Sequence, residues 1–252
     1  MAELEISSLT VFFPAYNDAP SLPGLIGRTF EVAGRLTEDF EVIVVNDGSF
    51  DQTDQVLTDL QGRWGPRLRV VRHPVNQGYG GAVRSGFRAA TKAWVFYTDG
   101  DGQYDVTELR HLAAALGPGI GLVNGYKTSR SDVFYRRWIG GAYEWSVRRL
   151  FHIRIRDVDC DFRLVQRSLM DAITLECTNG PVCVELVRKI QDTGCGIVEI
   201  PVRHLPRLHG RSQFFRPRNL AKSLWQLAAL YVRLLSYKPK KVATPEMVCH
   251  IE

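Results

Sequence analysis

The alternation of short apolar runs with amphipathic segments in residues 1–126 constrains the fold of this chain more than any other feature. The runs are rich in Val, Ile and aromatic side chains, which is typical of strands buried on both faces. Repeated β-α alternation predicts an α/β fold with a mostly parallel central sheet flanked by helices, whose ligands lie beyond the carboxyl ends of the strands. The predicted strands are Leu9–Phe13, Phe40–Asn46, Leu68–His73, Trp94–Thr98 and Ile120–Asn124.

Helical patterns fill the intervals between these strands. Ser21 is a candidate cap for a helix that ends near Leu36, and Asp105 with Glu108 makes a capping-box-like start for a helix to about Leu116. Two further helices are predicted over residues 52–63 and 79–91. Beyond the sheet, a helix over about residues 217–236 has an apolar stripe at spacings of three and four, made of Leu220, Leu224, Leu227, Ala228, Tyr231 and Leu235.

Charge divides the chain into two unlike halves. Residues 1–126 contain 10 Lys and Arg against 15 Asp and Glu, and residues 127–252 contain 22 against 12. The basic half suggests either nucleic acid or an anionic membrane surface as a partner. It carries no RRM, KH, zinc-finger or homeodomain pattern, so we expect no nucleic-acid binding. Five scattered cysteines and the lack of a secretory leader or an apolar 18-residue stretch favour a cytoplasmic protein.

The residues that follow the first two predicted strands fit nucleotide recognition. Pro14, Tyr16 and Asp18 replace the glycine-rich turn of a dinucleotide site, which argues against NAD or FAD. A tyrosine and a carboxylate at a strand end can stack on a base and accept its N–H group. Asp47 can likewise accept from a base or a ribose hydroxyl. Both segments also fit ordinary turns that precede a helix.

A glycine-rich turn follows the third predicted strand and opens a helix. Gly78 and Gly80 allow the backbone to approach a ligand closely, and the helix start can offer N–H groups to an anion. Arg84, one turn into this helix, is a candidate phosphate ligand.

The motif of Asp99, Asp101 and Gln103 follows the fourth predicted strand and is the clearest chemical feature. Two carboxylates at this spacing, with glycine beside each of them, can hold a hard divalent cation that also binds phosphate oxygens. We expect Mg²⁺ or Mn²⁺. An Asp-Gly turn that merely ends a strand is the alternative explanation.

Taken in order, these motifs resemble those of family 2 of the nucleotide-sugar glycosyltransferases, which have the GT-A fold, a Rossmann-like α/β architecture. The similarity is strongest to the branch that makes dolichyl- or polyprenyl-phosphate sugars. Pro14–Asp18 resembles its P-x-Y-N-E motif, residues 76–82 its N-x-G-x-G-x-A turn, and residues 99–103 its D-x-D-x-Q motif. Residues 157–163 resemble its D-x-x-(S/T/C)-G-F-R segment, with Asp161 in place of glycine, and residues 199–213 resemble its E-V-P-V…R…G-x-S-K ending.

The resemblance implies inverting transfer of one sugar from a UDP- or GDP-linked donor to a polyprenyl phosphate. It assigns Asp18, Asp47 and Tyr16 to the nucleoside, and a metal on Asp101, Asp99 and Gln103 to the diphosphate. Because a lipid phosphate is already an anion, positioning and charge neutralisation replace a strong general base. The predicted ligands of the acceptor phosphate, or of the donor diphosphate, are Arg207, Ser212, Arg136 and Arg137.

Other readings remain open at this point. If the acceptor is a saccharide hydroxyl, Asp159 or Asp161 is the candidate base. An inactive scaffold is disfavoured because both metal-motif carboxylates are present. The stripe of the terminal helix predicts peripheral attachment to the cytoplasmic face of a membrane, although packing on the protein's own core explains it as well, and a membrane-protein partner is left open.

These expectations define a domain organisation. We predict a GT-A domain over residues 1–215, divided into a nucleotide- and metal-binding half over residues 1–126 and an acceptor half over residues 127–215. An amphipathic helix and a basic tail over residues 216–252 follow.

Overall fold

A computed structural model describes residues 6–128, 141, 144–207 and 217–239 of the chain. Within these residues a seven-stranded sheet has the order β3-β2-β1-β4-β6-β5-β7. All five strands predicted from the first half of the sequence are present, with ends that differ by at most three residues. The strands are β1 (Leu9–Ala15), β2 (Phe40–Asn46), β3 (Leu68–Arg72), β4 (Trp94–Thr98), β5 (Ile120–Lys127), β6 (Phe162–Gln166) and β7 (Gly196–Val202).

Helices lie on both faces of this sheet. Those of the first half connect consecutive strands, as the β-α alternation predicts. The helices are α1 (Leu22–Leu36), α2 (Thr53–Trp64), α3 (Tyr79–Ala89), α4 (Leu109–Ala114), α5 (residues 144–150), α6 (Arg167–Ala172), α7 (Val182–Asp192) and α8 (Pro217–Ser236).

The sheet is mostly parallel, with β6 as its reversed strand. β1 pairs in parallel with β2 and β4, and β5 pairs in parallel with β7. β6 lies antiparallel between β4 and β5, so that Phe162, at the start of β6, is opposite Thr98, at the end of β4. Because β6 runs in the opposite direction, the residues that precede it lie beside the carboxyl end of β4.

Alternate side chains of the central strands enter two separate cores. Phe12 belongs to the core that α3, α7 and α8 cover, whereas Val11 and Phe13 belong to the core that α1, α2 and α4 cover. Every residue of β1 and β2 is buried, as the apolar runs predict. β3, at the edge of the sheet, is only partly buried, because it has a neighbouring strand on one side alone.

The predicted helix from Asp105 to Leu116 is wrong in its start and its end. Residues 106–108 form a 3₁₀ turn, and α4 ends at Ala114. The Asp105 carboxylate does cap this turn by accepting from the Thr107 N–H group at 3.1 Å. Glu108 does not complete a capping box, because its carboxylate accepts from the backbone N–H group and the guanidinium of Arg203.

α8 covers the residues that the sequence predicts, and it has two different faces. Leu227 and Leu230 are buried in the core beside α7. On the opposite side Leu224, Trp225, Val232 and Leu235 are each at least 57% exposed. No helix within the described part of the chain has both the length and the apolar character needed to cross a membrane.

Candidate functional site

The loops that follow β1, β2 and β4 meet at one edge of the sheet. The ends of β1 and β2 lie side by side, and the Asp47 N–H group donates to the Ala15 carbonyl at 2.9 Å. The Gly100 N–H group donates to the Pro14 carbonyl at 3.0 Å, which joins the β4 loop to the end of β1. Parallel pairing therefore brings together the polar segments that were far apart in the sequence.

Asp18 lies in this edge with its carboxylate partly desolvated. Asn17 has a φ of 58°, and this tight turn lets the Tyr16 N–H group donate to the Asp18 carboxylate at 2.9 Å. The backbone N–H group of Asp18 donates to the Thr53 hydroxyl at 3.1 Å, which ties the turn to α2. Burial, reinforced by the negative charge of Asp101, raises the pKa of Asp18 to about 6.

Two aromatic side chains, Tyr16 and Phe50, lie beside the same turn. The rings of Tyr16 and Phe50 meet edge to face with centroids 6.0 Å apart, and Phe50 is 82% exposed. An exposed phenylalanine beside a tyrosine offers a flat apolar surface on which a base can stack. The sequence analysis missed Phe50, although its place directly after the second strand's polar turn was a usable signal.

Asp47 is buried and already satisfied by bonds within the protein. Its Oδ1 lies 2.6 Å from His73 Nδ1 and accepts from the Gln77 N–H group at 2.8 Å, while Oδ2 accepts from the Gly78 N–H group at 3.0 Å. The other ring nitrogen of His73 lies 2.8 Å from the Ser85 hydroxyl. Asp47 therefore fixes the glycine-rich turn; its predicted contact with the nucleoside stays a prediction.

Asp101 is buried and its carboxylate faces a cation supplied by the chain itself. Its Oδ1 accepts from the Gln103 N–H group at 3.0 Å, and its Oδ2 accepts from the Arg207 guanidinium. Arg207 also donates to the Gln103 side-chain oxygen at 3.2 Å. The sequence analysis placed Asp101 and Gln103 in one motif and Arg207 apart from it, and the structure brings all three into contact.

Asp99 stands among other carboxylates. Burial, together with the negative charges of Asp161 and Asp101, raises the pKa of Asp99 well above its ordinary value. Mutual repulsion of this kind is relieved by a proton or by a metal ion. The edge therefore has the electrostatic character of a cation site.

A buried arginine that the sequence analysis passed over holds Asp161. Arg163 is fully buried; its guanidinium donates to Asp161 at 2.8 Å and to the Asn124 side-chain oxygen at 2.7 Å, and it also contacts the Tyr97 hydroxyl. Cys183 lies 3.1 Å from the same Asp161 oxygen. Since all of these groups are buried, Arg163 compensates the Asp161 charge that would otherwise be isolated.

Asp159 has a different environment, two residues earlier. Burial, with a contribution from Asp157, raises the pKa of Asp159 to about 6 although Lys127 lies nearby. The Lys127 ammonium donates to the backbone carbonyl of Asp159 at 2.9 Å. Asp159 is therefore the candidate base that takes up a proton near pH 6, and Asp161 is the one paired with a cation.

Comparison with known proteins shows which family builds a site of this kind. The model of the family described as "Glycosyl transferase family 2" matches residues 10–173, from the second residue of β1 to beyond β6. This range includes the carboxylate cluster, by which we mean Asp18, Asp99, Asp101 and Asp161. The chain belongs to glycosyl transferase family 2. The resemblance predicted from the sequence motifs is confirmed.

Among its relatives in family 2 are two undecaprenyl-phosphate 4-deoxy-4-formamido-L-arabinose transferases. The protein from Aeromonas hydrophila subsp. hydrophila is 27% identical over 85% of this chain and 65% of its own length. The protein from Pseudomonas fluorescens strain SBW25 is 28% identical over 85% of this chain and 62% of its own length. The chain thus spans less than two thirds of these two relatives.

Solved structures share the fold of this family 2 chain. One is glucosyl-3-phosphoglycerate synthase from Mycobacterium tuberculosis in complex with Mn²⁺, UDP-glucose and phosphoglyceric acid. It aligns with a TM-score of 0.66 and 16% identity over 94% of this chain and 88% of its own. A mannosyltransferase from Pyrobaculum calidifontis, in complex with GDP-Man and Mn²⁺, aligns with a TM-score of 0.61 and 19% identity over 92% of this chain and 65% of its own. The predicted GT-A type architecture is confirmed.

The residues predicted to hold a metal ion do not form a preformed centre, but their donor atoms suit a divalent cation. Across residues 6–128, 144–207 and 217–239, no three His, Cys, Asp or Glu side chains form a ready-made metal centre. The donor types nevertheless fit a hard divalent cation, since Asp99 and Asp101 supply carboxylates and Gln103 an amide oxygen. Arg207, which contacts Asp101 and Gln103, shows that this position already attracts positive charge.

Other predicted residues of the family 2 site have different surroundings. Gly78 has a φ of 84° and its N–H group is bonded to Asp47, while the Gly80 N–H group donates to the Thr178 carbonyl at 2.9 Å. Arg84 donates to the Glu176 carbonyl at 3.3 Å, so its place at a phosphate stays a prediction. Three predicted ligands of the acceptor phosphate lie outside the described residues, namely Arg136, Arg137 and Ser212.

Proposed function

We propose that this protein transfers one sugar from a nucleoside-diphosphate sugar to a polyprenyl phosphate, with inversion at the anomeric carbon. The observation that carries the proposal is the convergence of Asp18, Asp99 and Asp101 at one sheet edge, beside Arg207. Relatives named as undecaprenyl-phosphate sugar transferases support the class of acceptor.

The donor nucleotide lies along the loops after β1, β2 and β4 in this proposal. One ring of the Tyr16–Phe50 pair stacks on the base and the other contacts its edge, while the Asp18 carboxylate accepts its N–H group. Pro14 shapes the turn, and Asp47 with Gly78, Gly80 and Arg84 borders the ribose and diphosphate. UDP and GDP both fit this description, because uracil and guanine each present an N–H donor.

Asp101, with Asp99 and Gln103, would hold a Mg²⁺ or Mn²⁺ ion. Such an ion, when bound, neutralises the charge of the leaving diphosphate. Arg207 would exchange its Asp101 contact for a phosphate oxygen of the donor or the acceptor, since guanidinium pairs favourably with either anion. Arg136, Arg137 and Ser212 are proposed as further ligands of the acceptor phosphate. The lipid phosphate attacks as an anion, so the chain's main contribution is alignment and charge compensation.

The outward face of α8 supports attachment to the cytoplasmic face of a membrane. Trp225 is 71% and Leu235 72% exposed, and they belong to one outward stripe. Lys222 and Lys238 are exposed along the same helix and its end. Apolar groups that enter the interface, with cations beside them, are typical of peripheral helices on anionic bilayers.

A donor and acceptor screen tests the enzymatic proposal. Purified protein is incubated with UDP- or GDP-sugars, Mg²⁺ or Mn²⁺, and either a polyprenyl phosphate or soluble oligosaccharides. Transfer to the lipid, absent in Asp101→Asn, is the expected result. Transfer to the oligosaccharides alone would overturn the lipid assignment.

The second candidate function, transfer to a saccharide hydroxyl, is favoured by one observation. A hydroxyl acceptor needs a base, and Asp159, with a pKa of about 6, is suited to take its proton near neutral pH. Asp161, held by Arg163, is the alternative base. In the same screen, Asp159→Asn would then abolish transfer to the saccharide, or Asp161→Asn would do so if Asp161 is the base.

Flotation with vesicles tests the attachment separately. Trp225→Ser with Leu235→Ser should reduce binding to anionic vesicles, whereas Leu205→Ser, another exposed apolar residue at 42% exposure, should not. Unchanged binding of the double variant would overturn this role of α8. Binding that requires a co-expressed membrane protein would assign the stripe to such a partner instead.

A further inference from the structure

Gln226 of α8 is a buried polar residue whose side chain is fully engaged by a distant loop. It is 8% exposed and lies next to the outward-facing Trp225. Its Oε1 accepts from the N–H groups of Thr178 and Asn179, both at 3.1 Å, and its Nε2 donates to the Thr178 hydroxyl at 2.7 Å. A buried amide with three bonds to two consecutive residues fixes the path of that loop.

The loop that Gln226 binds, at Thr178 and Asn179, is in direct contact with the glycine-rich turn before α3. The Thr178 carbonyl accepts from the Gly80 N–H group at 2.9 Å. A Cβ atom on Gly80 would lie 2.4 Å from the Cys177 carbonyl oxygen, and one on Gly78 would lie 2.4 Å from that of Thr178. Neither position has room for a side chain, so the two backbones determine each other's place.

The turn in contact with this loop reaches Asp47 on its other side. The Gly78 N–H group donates to the Asp47 carboxylate at 3.0 Å, and the Gln77 N–H group donates to it at 2.8 Å. A continuous set of contacts therefore runs from α8 through Thr178 and the start of α3 to Asp47.

The first part of this loop is held by a second residue, Glu185, and only its final part is held by Gln226. The Glu185 carboxylate of α7 accepts from the N–H groups of Glu176 and Cys177 at 2.9 and 2.8 Å. These bonds fix the loop as far as Cys177. Thr178 and Asn179, the part in contact with Gly78 and Gly80, depend on Gln226 for their N–H groups.

We propose that Gln226 is a positioning residue for the donor site and acts through Thr178 and the glycine-rich turn on the loop of Asp47. The inference rests on the proposed function, because it takes this edge to be the place where the nucleotide binds. Loss of the amide leaves two N–H groups of the half-buried loop without their partner, and the loop shifts to satisfy them. The start of α3 then loses its support, and nucleotide affinity falls.

Calorimetric titration of UDP and GDP in the presence of Mn²⁺ tests the proposal. In Gln226→Leu the dissociation constant of the bound nucleotide should rise about tenfold, and the KM for the nucleotide sugar should rise while kcat changes less than about twofold. Gln226→Glu keeps an acceptor for both N–H groups and should recover most of the affinity.

Leu230→Ala is the matched control, because Leu230 is fully buried on the same face of α8 and contributes packing alone. It should lower the melting temperature at least as much as Gln226→Leu, with nucleotide affinity within about twofold of the unmodified protein. Unchanged affinity in Gln226→Leu, or an equal loss in Leu230→Ala, would overturn the inference and leave the proposed function intact. Absence of nucleotide binding by the unmodified protein would overturn both.

Discussion

The Arg207 guanidinium donates to the Asp101 carboxylate, so a cation of the chain occupies the carboxylate proposed to hold a metal ion. Arg207→Ala should therefore increase the affinity for Mn²⁺ by roughly three- to tenfold, because the ion no longer competes with the guanidinium. Sugar transfer should fall, since a ligand of the phosphates is lost. Electron paramagnetic resonance titration of free Mn²⁺ measures the affinity.

Arg203→Ala is the control for this prediction. Arg203 lies on the same segment, but its guanidinium contacts Glu108 and Asp105 outside the cluster. Its removal should leave Mn²⁺ affinity unchanged. A weaker affinity in Arg207→Ala would mean that the guanidinium supports the metal site instead of competing with it.

Asp99→Asn should separate stability from binding. The raised pKa of Asp99 means that its charged form is unfavourable in the fold, so an amide in its place should leave the melting temperature unchanged or higher. Mn²⁺-dependent nucleotide binding should weaken at least about tenfold, because a carboxylate ligand is lost. Thermal unfolding and calorimetry give the two readouts. Asp105→Asn is the comparison, and it should show loss of stability without loss of binding.

The raised pKa of Asp18 predicts that nucleoside affinity and the stability of the fold change in opposite directions with pH. With a pKa of about 6 it becomes protonated below pH 6 and can no longer accept the N–H group of a base, so affinity for uridine or guanosine measured without metal should fall with decreasing pH.

The same raised pKa favours the protonated form in the folded state. Its contribution to stability is present below the ordinary pKa of 3.8 and is lost as pH rises through about 6. At pH 7 Asp18→Asn should be more stable by up to about 3 kcal/mol in urea unfolding. Its nucleoside affinity should show no titration between pH 5 and 7. A titration that persists in this variant would assign the effect to another group.

Arg163→Met should destabilise the protein by about 3–5 kcal/mol, since it leaves Asp161 as an uncompensated buried charge. Urea unfolding monitored by tryptophan fluorescence measures the loss. Asp161→Asn in the same background should restore part of it. Equal stabilities of the single and double variants would show that lost packing, rather than the isolated charge, dominates.

Gly80→Ala should cost more than about 2 kcal/mol, because the new Cβ meets the Cys177 carbonyl oxygen at 2.4 Å and backbone must move. Gly62→Ala is the matched variant: it lies within α2 and a Cβ there meets nothing within 4 Å. That substitution should instead stabilise by about 0.5–1 kcal/mol. Chemical denaturation of the two proteins checks both signs.

Local patterns were sufficient for the first half of the fold. Runs such as Phe40–Asn46 and Trp94–Thr98 are buried on both faces, and that burial requires continuous apolar sequence, so these strand limits could be predicted. β6 could not be, since its five residues include the buried Arg163 and its partners come from β4 and β5. The capping box at the start of α4 was mispredicted because Glu108 accepts from Arg203, a contact between residues 95 positions apart.

The site was predictable where one strand end supplies the chemistry, as for Asp99, Asp101 and Asp18. Contacts that join separate segments, such as Arg207 with Asp101 or Arg163 with Asp161 and Tyr97, follow from the topology and leave no local signature. Gln226 is the extreme case, because nothing near it in the sequence distinguishes it from a solvent-exposed glutamine. The division at residue 215 stays a prediction.

The reversed strand β6 also limits how enzymes of this architecture can be recombined. It lies between β4, from the acidic half, and β5, and it delivers Asp161 beside Asp99. A chimaera joined near residue 126 would receive β6 from a different enzyme. That strand would have to pair with both β4 and β5, and the residue before it would have to suit the charge of Asp99. The segments on the two sides of residue 126 are therefore inherited together more readily than they are exchanged.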